Sequence, residues 1–140
     1  MSREDLVAAL NGDLAHELSA IIQYVQYSAM VRGPWRTELR AFFQAEVPDE
    51  QLHAQYLADK IAAMGGGPTT VPAPVRPART AEEMLTAVRD EERDAVARYT
   101  QRVREAESLG EIALKVQLEN FIMDEQGHMQ ECEQILADWR

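Results

Sequence analysis

Apolar residues recur three and four positions apart along four long stretches of this chain, and Gly or Pro falls between them. The first stretch runs from about Asp5 to Val31. It sets Leu6, Leu10, Leu14, Ile21, Tyr24 and Ser28 on one face before Gly33 and Pro34 end it. The second runs from about Thr37 to Met64, with Leu39, Phe43, Val47, Leu57, Ile61 and Met64 in line. Pro48 lies inside it and predicts a kink or bulge, because proline removes one backbone hydrogen bond. The third opens at Thr80, with Glu83 three residues on to complete a capping box, and reaches about Ser108. Gly110 breaks it, and the fourth continues to about Asp138 with Leu114, Leu118, Phe121, Cys132, Ile135 and Trp139 on its stripe.

Residues 65–80 separate the second stretch from the third and are rich in Gly, Pro and Thr. Sixteen extended residues reach about 50 Å. A helix of about 28 residues is about 42 Å long. The segment can therefore run the length of a bundle and return the chain to its starting end, with the prolines keeping it extended. The expected architecture is all-α, one domain over 1–140, built as two antiparallel helical hairpins joined by a long crossover.

Composition narrows the partners. The 140 residues hold 24 acidic against 14 basic side chains, a formal net charge of −10, which argues against nucleic acid and anionic membranes and for cations. No stretch is apolar enough to span a membrane, and no signal-peptide-like run follows the N-terminus. The single cysteine, Cys132, rules out an internal disulfide framework. A cytoplasmic location is expected.

Chemistry enters with two near-repeats. Asp49-Glu50-Gln51-Leu52-His53 and Asp124-Glu125-Gln126-Gly127-His128 each carry Glu-x-x-His, one copy per predicted hairpin. Residues three apart share a helix face, and both pairs fall on the apolar stripe. Glu17 lies between Leu14 and Ile21 on the first stripe, and Glu92 between Val88 and Tyr99 on the third. Glu91 competes for that last position, but Glu92 is the one in line with Leu85, Val88, Ala95 and Tyr99. One Glu-x-x-His in an acidic helical protein is commonly accidental; two in register with opposite stripes are not. Buried carboxylates need partners, and no Lys or Arg has a strong claim to these stripes. Two divalent cations would balance four carboxylates and two neutral imidazoles. One Glu from each of two helices plus Glu-x-x-His from each of the others is how dimetal sites in bundles are built. The oxygen-rich donor set suits Fe, Mn or a mixed Fe/Mn pair.

The motif from Leu14 to Tyr24, with Glu17 followed seven residues later by Tyr24, together with Met123-Asp124-Glu125-Gln126-Gly127-His128, resembles the ferritin superfamily and most closely the bacterioferritins. The resemblance covers all four helices and implies a ferritin-like four-helix bundle. It implies that Glu17 and His53 hold one iron, that Glu92 and His128 hold the other, and that Glu50 and Glu125 bridge them. The activity implied is oxidation of Fe²⁺ by O₂ or H₂O₂, for iron storage or detoxification. The alternative on the same fold is a di-iron or Fe/Mn oxidase, peroxidase or oxygenase acting on a small organic molecule. Gln51 stands where bacterioferritins place the haem-binding Met, so haem is not expected. The sequence stops at the end of the fourth helix, without the fifth helix of 24-subunit cages. The expected homo-oligomer is therefore a dimer or a smaller shell.

Around this set, Tyr24 is placed either to hydrogen-bond a ligand carboxylate, to donate an electron, or simply to fill the core; Tyr99 stands likewise relative to Glu92. The resemblance suggests that Asp124 supports a ligand His across the bundle, and Asp49 is the weaker counterpart. Glu46, one turn before Glu50, is either an entry ligand or a residue at the bundle edge. His16 points away from Glu17, and Cys132 reads as a buried inert thiol.

Overall fold

The computed structural model describes residues 1–139. Four helices make the fold: α1 (Arg3–Met30), α2 (Arg36–Ala63), α3 (Ala81–Ser108) and α4 (Ile112–Leu136). No strand occurs among the described residues, and no helix is long and apolar enough to cross a membrane.

Local chemistry sets the starts of α1 and α3 and the ends of α2 and α3. α1 begins two residues earlier than the apolar pattern predicts because Ser2 and Asp5 form a reciprocal capping box. At α3 the Thr80 hydroxyl accepts from the Glu83 N–H at 3.1 Å, the hydroxyl half of the expected pair. α2 and α3 both close in Schellman motifs. The N–H of Gly66 donates to the Ile61 carbonyl and that of Gly65 to Ala62; Glu111 and Gly110 repeat the pattern on Ala106 and Glu107. Gly65 and Gly110 take φ of 87° and 73° there, which only glycine adopts without cost. α4 ends at Leu136, short of the expected Asp138.

At Pro48 the helix accommodates the proline without a bulge: α2 is α-helical without interruption from Arg36 to Ala63. The carbonyl that loses its partner belongs to Gln44, an exposed residue, where water can replace the missing N–H. Pro48→Ala should restore that bond and stabilise the metal-free protein by about 1–3 kcal/mol in urea unfolding. An unchanged midpoint would show that the missing bond costs the helix nothing.

The crossover, residues 64–80, is fastened along α1 in the direction of that helix. The Asn11 side chain donates to the Gly67 carbonyl (3.0 Å) and accepts from the Thr69 N–H (2.8 Å). Further along, the Ala73 N–H donates to the Ala15 carbonyl, the Ser19 hydroxyl to Pro74, and the Tyr27 hydroxyl to Arg76. The chain thus enters α3 at the end of the bundle where α1 leaves it. α1 packs on α2, α3 on α4, and α1 meets α3 between the hairpins.

The core is apolar at both ends of the bundle and polar in the middle. One cluster gathers Leu6, Leu10, Leu57, Ile61, Leu114 and Leu118. The other gathers Tyr27, Val31, Leu39, Phe43, Met84 and Leu85. Between them lies a belt of buried acids and histidines. Next to the belt, Asp13 is also buried, and here an arginine does reach a buried carboxylate. Arg102 grips Asp13 with Nε at 2.7 Å and Nη2 at 3.2 Å, a bidentate pairing that makes the burial tolerable.

Candidate metal centre

Helical spacing puts the six side chains in one layer. α1 contributes Glu17 and α3 Glu92; α2 contributes Glu50 and His53, and α4 Glu125 and His128. The four carboxylates are only 1–3% exposed, so water cannot solvate them. None of the four is in an ion pair with Lys or Arg among the described residues. Their donor atoms form two overlapping groups, each within 4.8 Å. One is Glu17, Glu50, His53 and Glu125; the other is Glu50, Glu92, Glu125 and His128. Glu50 and Glu125 belong to both. Glu91, the competitor of Glu92, instead faces Arg76, Arg98 and His16.

The outer atoms of both histidines are held by acids from the opposite hairpin. His53 Nε2 lies 3.0 Å from Asp124 Oδ2. His128 Nε2 lies 2.7 Å from Glu46 Oε2 and 3.7 Å from Asp49 Oδ2. These partners fix a proton on each Nε2 and turn each Nδ1 inward, the arrangement that orients imidazole ligands. His53 Nδ1 then lies 3.0 Å from Glu125 Oε1 and 3.7 Å from Glu17 Oε2. His128 Nδ1 lies 4.0 Å from both Glu50 Oε1 and Glu92 Oε2. The tyrosines repeat the symmetry: the Tyr24 hydroxyl donates to Glu92 Oε1 at 2.7 Å, and the Tyr99 hydroxyl donates to Glu17 Oε1.

What remains inside is a set of buried oxygens and nitrogens with no well-formed hydrogen bond: Glu17 Oε2, Glu50 Oε1, Glu92 Oε2, Glu125 Oε1 and the Nδ1 atoms of His53 and His128. Orphaned buried acceptors are costly. Oxygens and imidazole nitrogens converging in two groups with two shared carboxylates fit a pair of divalent cations of the Fe or Mn kind.

Without cations the layer is held by protons. Burial, then the charges of Glu17 and Glu125, push the Glu50 carboxyl well above its ordinary range. Burial and the charge of Glu17 push Glu125 up to about 7, against the pull of His53. Burial alone would push Glu17 up; the adjoining Glu50 carboxyl, the charge of His53 and the hydrogen bond from Tyr99 hold it below its usual value. Burial opposes charge on His53, yet Glu125 and Glu17 outweigh it and raise the imidazole to about 11. Burial, then nearby carboxylates, push the hydroxyls of Tyr24 and Tyr99 well up, so both remain donors.

The residue that periodicity placed least well is Glu46. It is 9% exposed and grips His128 from one turn before Glu50. Spacing put it on the right face, but only the opposing helix reveals its partner. Cys132 is fully buried, and burial followed by the charge of Glu46 pushes its thiol up to about 12, in keeping with an inert group.

Comparison with known proteins agrees with the geometry. The family described as ferritin-like domain matches residues 7–140. The chain belongs to the ferritin family. Among solved structures, a ferritin-like, diiron-carboxylate protein from Bacillus anthracis str. Ames is 44% identical. It superposes with a TM-score of 0.95 over 97% of this chain and 99% of that one. The bacterioferritin BfrA of Mycobacterium tuberculosis (strain ATCC 25618 / H37Rv) is 31% identical over 126 residues, 89% of this chain and 79% of its own. Its structure superposes with a TM-score of 0.87, covering 95% of this chain and 84% of that one. A dodecameric thioferritin from Bacteroides fragilis shares the fold at 22% identity and a TM-score of 0.89, over 99% of this chain and 88% of that one. This ferritin-family chain thus shares its bundle with relatives both closer to it and more distant.

Proposed function

We propose that this protein is a ferroxidase that oxidises Fe²⁺ to Fe³⁺ at a dimetal centre within each chain, for iron storage or detoxification. The observation that carries the reading is the convergence of six buried carboxylate and imidazole side chains in two overlapping groups. In this reading Glu17 and His53 hold one Fe²⁺, Glu92 and His128 hold the other, and Glu50 and Glu125 are shared between them. Two Fe²⁺ supply one electron each; O₂ takes both with two protons and leaves as H₂O₂, while H₂O₂ as oxidant leaves as water. Mn could occupy the same donors, and Gln51 in place of the family's Met leaves haem out of the proposal.

The chain's own residues perform distinct tasks. Glu50, Glu125 and His53 surrender their protons as the cations enter. Tyr24 and Tyr99 fix the outer oxygens of Glu92 and Glu17 so that the inner oxygens stay aimed inward. Asp124 and Glu46 orient the two imidazoles. The apolar clusters on either side keep bulk water from the layer. We also propose that the chain acts as a homo-oligomer, a dimer or a shell, in the cytoplasm; the dodecameric Bacteroides fragilis relative supports this only through the shared fold.

The test is stopped-flow oxidation: metal-free protein receives two Fe²⁺ per chain, then O₂. A fast rise in Fe³⁺ absorbance, far above the rate in buffer, is expected; buffer-like oxidation would overturn the proposal. The same assay with candidate organic substrates separates it from a small-molecule oxidase, for which the substrate, not the iron, would be consumed on each turnover. Asp124→Asn should weaken Fe²⁺ binding by about 10–100-fold in an anaerobic competition titration, since the charged acceptor of His53 Nε2–H becomes a neutral amide. Wild-type affinity in that variant would remove Asp124 from the account.

A further inference from the structure

Both tryptophans of the chain, Trp35 and Trp139, line one cavity of about 360 Å³ at the end of the bundle where α2 begins and α4 ends. Phe42 and Ile135 add apolar wall, and Glu38 and Asp138 place two carboxylates on it. No Lys, Arg or His among the described residues lines it. The nearest arginines on α2 are engaged elsewhere. Arg36 donates to the carbonyls of Ala29 and Val31, and Arg40 to that of Ser28, so both satisfy the end of α1. Trp35 is 55% exposed, an unusual degree of openness for the largest apolar side chain. Trp139 packs on the apolar cluster beneath, which gives the cavity a fixed wall.

The chemistry of this wall selects its occupant. Indole and phenyl rings carry negative potential on their faces, and the two carboxylates add negative charge. An anion is repelled. A bare divalent ion finds too few oxygens. A neutral apolar molecule gains nothing from Glu38 and Asp138. An ammonium ion with alkyl groups meets the rings with its carbons and the carboxylates with its charge. We propose that this aromatic, acid-rimmed cavity binds an alkylated organic cation of the quaternary ammonium class, at a site separate from the dimetal layer.

Because the chain has two tryptophans and both line the cavity, its tryptophan fluorescence reports on this site alone. The probe is choline, titrated into the intact protein at constant ionic strength, with its neutral isostere 3,3-dimethylbutan-1-ol as control. The expected result is a saturable change in emission with a midpoint of about 1 mM. The isostere should bind at least about tenfold more weakly. The pair Glu38→Gln and Asp138→Asn should weaken choline about fivefold or more while leaving the melting temperature and Fe²⁺ oxidation unchanged. Trp35→Leu, at an exposed position, should abolish saturation while Trp139 still reports. A response that never saturates, equal binding of the isostere, or wild-type binding by the double variant would each overturn the proposal.

Discussion

Glu50→Ala should reduce rapid Fe²⁺ oxidation by more than about 10²-fold, beyond what loss of an orienting residue costs. His128→Ala should do nearly the same, although its side chain lies at the more open edge of the layer (17% exposed, against 4% for His53). The reason is geometric. Glu50 belongs to both donor groups, so its removal damages both positions at once, whereas His128 belongs to one. Neither change should unfold the protein. In the metal-free state the Glu50 carboxyl is buried, crowded by Glu17 and Glu125 and kept protonated, and among the described residues it makes no ion pair with Lys or Arg whose loss would loosen the bundle. Circular dichroism should therefore show unchanged helix in both variants. Wild-type oxidation rates with intact helix would remove the dimetal layer from the chemistry.

Metal loading should reverse the way stability depends on pH. As pH rises from about 4.5 to about 7, the unfolded chain releases protons that the folded, metal-free layer still holds on Glu125 and Glu50. His53 acts in the same direction: its contribution is complete below about 6.5 and is lost as pH climbs toward about 11. The folded state binds more protons throughout this range, so the stability of metal-free protein should fall as pH rises. Cations displace those protons, so the stabilisation they give should grow as pH rises. At a free concentration one hundred times its Kd, one bound ion adds about 2.7 kcal/mol, a rise in melting temperature of about 5–10 °C for a chain of this size. Melting with and without Mn²⁺ at pH 5 and pH 8 reads this directly. Parallel pH dependences, with no larger gain at pH 8, would show that cations do not bind through these groups.

Much of this was legible in the sequence, for identifiable reasons. Helical period and Gly–Pro punctuation define four helices because every helix buries one stripe against the others. The crossover followed from length alone, since a segment able to span a helix returns the chain to its start. Glu17, Glu50, His53, Glu92, Glu125 and His128 stand out because charged groups on apolar stripes demand an explanation. What stayed hidden depends on contacts across the bundle. Arg102 lies 89 positions from Asp13, and no local pattern announces that pair. Glu46 gives no sign of its partner His128 until α2 and α4 face each other. The cost of Pro48 is hidden too, because it depends on whether the abandoned Gln44 carbonyl meets water. Asn11 looks like an ordinary polar residue on α1 until the crossover folds over it.

The most direct test of the dimetal layer is an anaerobic Fe²⁺ titration of metal-free protein, followed by O₂, counting iron bound and oxidised per chain. The account predicts a break at two Fe²⁺ per chain and fast oxidation of both. It also predicts loss of tight binding in Glu50→Ala, and storage would appear as continued uptake well beyond two. A single bound ion per chain, or binding without a break that Glu50→Ala leaves unchanged, would contradict it.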